Sequence, residues 1–513
     1  RNNFYQEHNL SAKGGSEQTS FYASLNYSQQ GGRIPGNDIK RVTARLSVDQ
    51  EITSKLYASL SVNGGYSVTN TPNGTTYSPT DLIYQLNPYE TKDVNAELVS
   101  FPGRTYADLF NQYSEKTSDK RAGISGSLNY SGIKGLEIAA VAGVDYVLSE
   151  NLGITPPTAY SELTSGADER ERGILTKDKN TKMNLSSNVR VTYNKMFGKH
   201  DLTLGANFDY YSDHVDNLGI TGYGLSKKMQ SPSGVNQSIE GNRKPSFTSR
   251  NEKTAQLGIG VLAGYSWNGI YDLFGTYKSD ASSVLPSDKR WNWAVGGGWT
   301  LSNYSFLRNN GTLTELKLKA SYGCTASLQG VSPSSAVATF QYSEDTYGND
   351  QLLSLVGLYN ADLKPEQTID IDAGITLGLW NRVTLNAGWY RRRTKDALLD
   401  VPIPASNGFT TLRRNIGILE NNGIVKMVDR PKWRMSGRLS MAYNQNKVVD
   451  LYHTDRLFTS EESIVPDFEV GKSYDMIYGP ISLGIDPMTG LPVFKGGDGR
   501  EISAIERLTR DDI

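Results

Sequence analysis

The residue types that most often carry out catalysis or hold metals are sparse in this chain. Its 513 residues include four histidines and one cysteine. His8, His200, His214 and His453 lie far apart, and none has a partner at the spacing of metal ligands. We therefore expect them at solvated turn or loop positions. The single cysteine, Cys324, excludes a disulfide framework and a zinc site built on several cysteines.

Acidic residues offer one candidate for general acid–base chemistry. Asp370 and Asp372 are two positions apart and therefore share one face of a predicted strand. The same spacing is typical of any polar strand face, which is the simpler interpretation. Asp498 lacks the series of oxygen ligands that a calcium loop supplies. The sequence thus predicts no catalytic residue, no metal site, no cofactor and no enzyme activity.

The composition narrows the class of protein further. Lys and Arg number 53 against 54 Asp and Glu, so a formal charge of −1 gives no basic surface for nucleic acid. The mean hydropathy is −0.47, and no apolar run approaches the ~18 residues of a membrane-spanning helix. Tyrosine is about twice as frequent as phenylalanine, at 30 against 14. These proportions favour β structure in contact with an interface.

Apolar and polar residues alternate along most of the chain. Leu56, Ala58, Leu60 and Val62, for example, are separated by single, mostly polar residues. Successive side chains of a strand point to opposite faces, so such a segment has one apolar and one polar face. The sequence therefore predicts an all-β protein. The alternation recurs at residues 21–27, 42–48, 56–62, 136–146, 202–210, 257–265, 316–322, 369–377, 383–389 and 435–443.

The connections between these segments distinguish a barrel in lipid from a soluble sandwich. Short connections, such as 51–55 and 131–135, alternate with long ones, such as 69–120 and 148–181. Outer-membrane barrels have short periplasmic turns and long extracellular loops, whereas a sandwich has no reason to sort loop lengths in this way. The segments also have the ~9–12 residues of a tilted transmembrane strand. We predict an antiparallel transmembrane β-barrel of about sixteen strands, whose first strand runs toward the periplasm.

Tyrosines at the ends of the apolar faces fit such a barrel. The tyrosine ring is apolar while its hydroxyl stays hydrated, which suits a membrane interface. We predict a membrane girdle that contains Tyr27, Tyr130, Tyr146, Tyr193, Tyr210, Tyr265, Tyr277, Tyr322 and Tyr443.

Other aromatic residues fall in or near the predicted outer loops, where rings could stack on sugars or grip peptide side chains. Packing within the girdle or the loops explains each of them as well. The substrate-binding candidates are Tyr89, Trp291, Trp293 and Tyr342, with Tyr77, Tyr84 and Tyr347 in the same class. The consecutive arginines Arg391, Arg392 and Arg393 form the densest basic cluster. They could face anionic lipopolysaccharide, an anionic cargo or solvent.

Motifs along nearly the whole chain match those of one known family. They begin with residues 7–15 and 19–27 and include Ser279–Ser283 together with Arg290 and Trp291. In this order they resemble the SusC/RagA family of TonB-dependent outer-membrane transporters. The sequence departs from the family pattern at residues 284–285 and 429–433. Further matching segments lie at residues 298–299, 306–307, 316–323, 362–368, 390–396 and 484–490.

The resemblance implies a barrel of about twenty-two strands around an N-terminal plug. Residues 1–513 would then be an incomplete barrel domain, with the plug and the last strands outside this sequence. It also implies active import of oligosaccharides or oligopeptides across the outer membrane of a Gram-negative, Bacteroidota-type bacterium. The implied partners are a SusD-like surface lipoprotein, the TonB-ExbB-ExbD complex acting through the plug, and outer-membrane lipid, but no nucleic acid.

Two functions of other classes stay open on the sequence. A passive porin-like channel is compatible with about sixteen strands, which could close by themselves. A soluble glycan-binding β protein is compatible with the alternation, although it does not explain why short and long connections alternate.

Overall fold

The computed structural model contains 25 strands among the residues that it describes. The structure describes residues 4–34, 36–72, 113–226, 228–229, 231–236, 243–285, 290–308, 310–328, 331–332, 338–347, 350–355, 357–431, 436–451, 454–458, 463–503 and 508–512. The strands are β1 Tyr5–Gly15, β2 Thr19–Gly31, β3 Asp38–Thr53, β4 Leu56–Thr71, β5 Ser114–Ile133, β6 Leu136–Thr155, β7 Ile174–Phe197, β8 His200–Tyr223, β9 Ser246–Trp267, β10 Tyr271–Ser282, β11 Arg290–Thr300, β12 Leu313–Ser327, β13 Phe340–Tyr347, β14 Asp350–Leu355, β15 Glu366–Leu379, β16 Val383–Lys395, β17 Leu398–Pro402, β18 Thr411–Asn415, β19 Ile418–Pro431, β20 Ser436–Asp450, β21 Arg456–Leu457, β22 Phe468–Glu469, β23 Ser482–Ile485, β24 Pro492–Lys495 and β25 Glu501–Ile502.

Sixteen of these strands form one sheet, which confirms the strand number predicted from the sequence. Strands β1 to β12 follow each other in sequence order, and β15, β16, β19 and β20 continue the sheet. The pairs β13–β14 and β17–β18 are separate hairpins within long connections. Helical structure in the described residues is limited to one helical turn, α1 at Tyr160–Leu163, and to 3₁₀ turns at Glu169–Glu171, Pro232–Gly234, Leu301–Asn303, Ala405–Asn407 and Arg510–Asp512. None of these described helices has the length and apolarity that a membrane crossing requires.

The chain divides into two compact units. The first unit comprises residues 1–190 and 209–255, and the second comprises residues 191–208 and 256–513. In the first unit the antiparallel register aligns the apolar faces of neighbouring strands. One row of directly opposed residues consists of Ala23, Leu46, Val62, Ile124 and Val144.

The second unit has the same arrangement of faces. Lys426 is an exception on the apolar face, since it lies opposite Ala387 on one side and Met441 on the other. A charge that faces lipid near the bilayer midplane costs about 2–4 kcal/mol, so this position is unusual. One apolar row of the unit consists of Tyr265, Leu273, Gly297, Ala320, Ala373, Trp389, Ile424 and Tyr443.

The strands are longer than the alternation predicted. β7 and β8 have 24 residues each, against an expectation of about 9–12 for a bilayer crossing. They extend at their long-loop ends, where Leu175 and Leu225 are buried with Ile154 in a small apolar cluster. A single-layer wall exposes both of its faces, so a buried core forms only where loop segments pack together.

Connection lengths alternate as predicted, with exceptions on both edges of the sheet. Turns 54–55, 134–135 and 198–199 have two residues each. Connection 32–37 is short although it lies on the edge with the long loops, and connection 301–312 is longer than the other turns on its edge.

A small sheet of β23, β24 and β25 follows the sixteen-stranded sheet in the chain. Its first turn is organised by Asp486, whose carboxylate accepts the backbone N–H of Met488 and the hydroxyl of Thr489, each at 2.8 Å. Gly490 completes the turn with a φ of 69°. These hydrogen bonds stabilise the charged carboxylate and hold the pKa of Asp486 below its ordinary value.

We predict that acid opens this turn only well below neutral pH. Because the pKa is lower in the folded turn, its stabilising effect is complete above the unfolded pKa of about 3.9 and disappears as pH falls through the folded pKa. A ¹³C NMR titration of the aspartate carboxyl should give Asp486 a midpoint below that of free aspartate. The variant D486N should remove this resonance and leave the others in place. A midpoint at or above that of free aspartate would contradict the prediction.

Candidate functional site

A recess of about 420 Å³ opens in the second unit among β10, β11, β12, β15, β16 and β19. Most of the residues that line it lie on the polar face of the sheet. We call it the glycine recess and define it by its polar-face residues Phe274, Lys319, Ser321, Asp372, Gly374, Gly388, Tyr390 and Val425.

Two adjacent rows of the register build the glycine recess. Each row crosses several strands at the same level, so residues far apart in sequence become neighbours. The upper row consists of Phe274, Gly296, Ser321, Asp372, Tyr390 and Gly423. The lower row consists of Asp272, Gly298, Lys319, Gly374, Gly388 and Val425.

Large side chains of the recess lie sideways across glycines on the next strand. A Cβ atom at Gly296 would come within 2.5 Å of the Phe274 ring, and one at Gly374 within 2.7 Å of the Lys319 side chain. The Tyr390 ring covers Gly423 in the same way. Lys319 covers Gly374, whereas at Gly388 the nearest atom to a Cβ would be a carbonyl oxygen at 3.8 Å, and the floor of the recess therefore stays open at Gly388.

Some charged side chains around the recess form ion pairs, and others do not. Lys317 binds Asp272 at 2.8 Å, and Arg392 binds Asp370 at 2.6 Å. Lys319, by contrast, has no hydrogen bond or ion pair within the described part of the chain, and Asp372 accepts only one long hydrogen bond of 3.4 Å from Ser321. The recess thus presents one available cation and one available anion between two aromatic rings. Such a site suits a ligand with donors and acceptors of both kinds, such as a peptide or a sugar.

The two aspartates singled out in the sequence do not act as a pair. Both lie on the polar face, but the carboxylate of Asp370 is taken up by Arg392. Within the described residues no three His, Cys, Asp or Glu side chains come together as a metal site. Cys324 is buried. We therefore find no acid–base arrangement at these residues.

His200 begins β8 and is not at the solvated turn or loop position that the sequence predicted. Its ring stacks on Phe197 at 5.1 Å, and its Nδ1 lies 2.6 Å from the Tyr265 hydroxyl. His8 and His214 lie in strands, where they contact Gln6 and Asn251. His453 lies outside the described residues.

The predicted girdle tyrosines all lie in strands of the large sheet. The register places seven of them opposite residues of the apolar face. Tyr27, for example, lies opposite Val42, and Tyr443 lies opposite Ile424. The other five are Tyr130, Tyr146, Tyr265, Tyr277 and Tyr322. Tyr193 lies in β7 and Tyr210 lies in β8. The membrane girdle of all nine tyrosines stays a prediction.

The substrate-binding candidates fall into different places. Trp291 and Trp293 lie in β11 rather than in a loop, and Trp293 is opposite Tyr277 on the apolar face. Tyr342 lies in the β13–β14 hairpin and is 72% exposed, which keeps it available for a ligand. Tyr347 is exposed in the same hairpin. Tyr77, Tyr84 and Tyr89 lie outside the described residues.

Three stacked aromatic residues at the short-turn edge were not predicted from the sequence. Trp267 stacks on Tyr271 at 5.9 Å, and Tyr271 stacks on Trp299 at 6.2 Å. The three residues lie directly opposite one another on the apolar face. Trp267 stands two residues before the Gly269 turn, and an aromatic at that spacing from a turn was the available signal.

The sequence profile of a family described as "TonB dependent receptor-like, beta-barrel" matches residues 1–462. The TonB-dependent receptor P3 of Formosa agariphila is 27% identical over 482 residues, which cover 88% of this chain and 46% of that protein. The TonB-dependent receptor SusC of Bacteroides thetaiotaomicron is 24% identical, covering 87% and 47%. The chain therefore spans about half the length of the curated relatives it matches.

Among solved structures the fold is similar to that of the RagAB peptide importer in its "closed-closed" state. The TM-score is 0.81 and the sequence identity is 23%, and the match covers 99% of this chain and 58% of the other. At this identity the likeness shows the fold, which agrees with the predicted transmembrane β-barrel.

We predict that Gly296 of the upper row and Gly388 of the lower row respond oppositely to alanine. G296A should destabilise the protein by about 1–3 kcal/mol, because the new Cβ meets the Phe274 ring and also the Ala320 carbonyl oxygen at 2.9 Å. G388A is the matched control, since its nearest contact is a carbonyl oxygen at 3.8 Å, and it should be neutral or stabilising by about 0.4–1 kcal/mol. Urea unfolding in lipid vesicles measures both. Equal midpoints for the two variants would disprove the crowding at Gly296.

Proposed function

Because this chain belongs to the family of TonB dependent receptor-like β-barrels, we propose that it forms the wall of an active importer in the outer membrane of a Gram-negative, Bacteroidota-type bacterium. The apolar rows of the sheet face lipid, and the polar face lines the lumen. We propose oligosaccharides or oligopeptides as cargo. The glycine recess supports this proposal most directly, since its available charges and aromatic rings would then lie on the lumen wall.

We propose that the importer works with proteins at both membrane faces. A SusD-like lipoprotein would cover the edge of the sheet that carries the long connections and the hairpins β13–β14 and β17–β18. The TonB-ExbB-ExbD complex would supply energy through a plug that belongs to the whole protein. We propose no catalytic role for this chain, and in the part that the structure describes Asp370, Asp372, Cys324 and the three described histidines form no reactive group.

The competing functions differ in what they require of the sheet. A soluble glycan-binding protein does not fit the continuous apolar rows, which run across strand after strand in both units. A passive porin-like channel has the same two faces and is the alternative that experiment must separate from import.

Uptake of labelled oligopeptides and oligosaccharides in cells separates import from passive diffusion. We expect uptake to require TonB and to stop when the inner membrane is de-energised. Uptake that continues without TonB at the same rate would favour the passive channel. The cargo class that accumulates, peptide or glycan, identifies the substrate.

We predict that the recess takes part in binding this cargo. The variants K319Q and D372N should each weaken cargo binding about tenfold, because each removes one partner of a charge-assisted hydrogen bond. K426Q removes a lysine from the opposite face of the same sheet and should leave binding unchanged. Isothermal titration of the purified protein with the imported cargo measures all three. Identical affinities for parent, K319Q and D372N would exclude the recess as a cargo site.

A further inference from the structure

The three consecutive arginines Arg391, Arg392 and Arg393 are divided between the two faces of β16. Arg392 points to the polar face, where Asp370 neutralises it. Arg391 lies opposite Ile371, and Arg393 lies opposite Ile369, both on the apolar face. Side chains of one strand alternate, so the basic cluster seen in the sequence supplies two arginines to the lipid side.

Arg391 and Arg393 follow directly after the last apolar residue on this face of β16. Moving toward the long-loop edge, this face carries Leu385, Ala387 and Trp389 and then changes abruptly to basic residues. A tryptophan followed by arginines marks the transition from hydrocarbon to headgroups, because the ring prefers the interface and the long basic chains reach past it.

Lys395 and Lys447 extend the basic group. Lys395 follows on the same face of β16, and Lys447 lies beyond β19 in the row of Arg393. Two acids, Glu420 and Asp450, share this face. We call Arg391, Arg393, Lys395 and Lys447 the outward basic cluster. Because these four basic residues share the face with only those two acids, the cluster has an excess of positive charge.

Glu420 forms an ion pair with only one residue of the outward basic cluster, Arg391. One of its carboxylate oxygens binds Arg391 at 2.8 Å, and the other accepts the Asn422 side chain at 3.0 Å. Arg393 stands directly opposite Glu420, yet within the described residues it has no ion pair. The protein covers its Nε, whereas the residue as a whole is only partly buried, so an outside acceptor reaches it through the terminal nitrogens of the guanidinium. An arginine left in this state near lipid requires an acceptor, since a desolvated and unpaired charged donor is costly.

We propose that the outward basic cluster binds the phosphate group of an anionic glycolipid in the outer leaflet, with Arg393 as its main ligand. Phosphate oxygens match the planar donors of arginine and form strong charge-assisted hydrogen bonds. The position of the cluster selects a lipid over free phosphate, because a phosphate held there has its acyl chains against the apolar face beside Trp389. The proposal requires only that the apolar face meets lipid, and it does not depend on the cargo or its energy source.

Lipid A is the probe for this site, with dephosphorylated lipid A and inorganic phosphate as comparisons. Native mass spectrometry of the full protein in a neutral detergent should show lipid A bound at least about tenfold more tightly than its dephosphorylated form. Equal binding of the two lipids would overturn the phosphate contact. Inorganic phosphate that binds as tightly as lipid A would overturn the choice of a lipid.

Variants locate the site on the surface. R393Q should weaken lipid A binding about tenfold, whereas R308Q should not change it, because Arg308 is an exposed arginine in a connection at the opposite edge of the sheet. E420Q should tighten binding at least about threefold, because it releases Arg391 and removes a negative charge. A purely structural role of the cluster would make E420Q neutral or harmful. Unchanged binding by both R393Q and E420Q would refute the proposal.

Cargo uptake by the same variants keeps this proposal separate from the import function. We expect R393Q and E420Q to import cargo like the parent, which also shows that they are folded. Loss of lipid A binding with normal uptake supports the lipid site, whereas normal lipid A binding with no TonB-dependent uptake would count against import alone.

Discussion

The pairing of backbone polar groups between neighbouring strands is the constraint on which the rest of this structure depends. Inside a bilayer no water is present to bind an N–H or C=O group, so each must find its partner on the next strand. That pairing sets the register, and the register sets which residues share a face. The three arginines of β16 show the consequence. A shift by one residue would move Arg392 to the lipid side and would break its ion pair with Asp370.

Local patterns in the sequence were sufficient to predict the class of fold. Alternation with a period of two is visible within one strand, and turns are visible between strands, so the all-β class and the number of strands followed from them. Strand length was predicted less well. Near the long-loop end of β7, Leu175 packs with the loop residue Leu225, and such contacts leave no periodic pattern in the sequence. The positions of Trp291 and Trp293 were also predicted poorly. Both lie in β11, but in the sequence an aromatic residue at the end of a strand resembles one in a loop.

The candidate site could be predicted from the sequence less completely than the fold. The glycine recess depends on Gly374 and Gly388 lying in one row with Lys319, although they belong to three different strands. Each glycine by itself indicates only a close approach of backbone. A single sequence does not contain the register between distant segments, and the shape of the recess follows from that register. The polarity of the wall, by contrast, was predictable, since Lys319 and Asp372 stand at alternate positions of their strands.

The order of strands in the large sheet also bears on how such a chain folds. Nearly every strand pairs with its neighbour in sequence, so most pairings require the closure of only a short loop. Closure entropy grows slowly with loop length, by about 0.6 kcal/mol for each doubling, and hairpins joined by two-residue turns pay the least. Assembly can thus proceed by adding one hairpin after another along the chain. The long connections, such as 72–113 and 328–365, are then the points at which propagation slows, and they divide the nascent sheet into successive kinetic blocks.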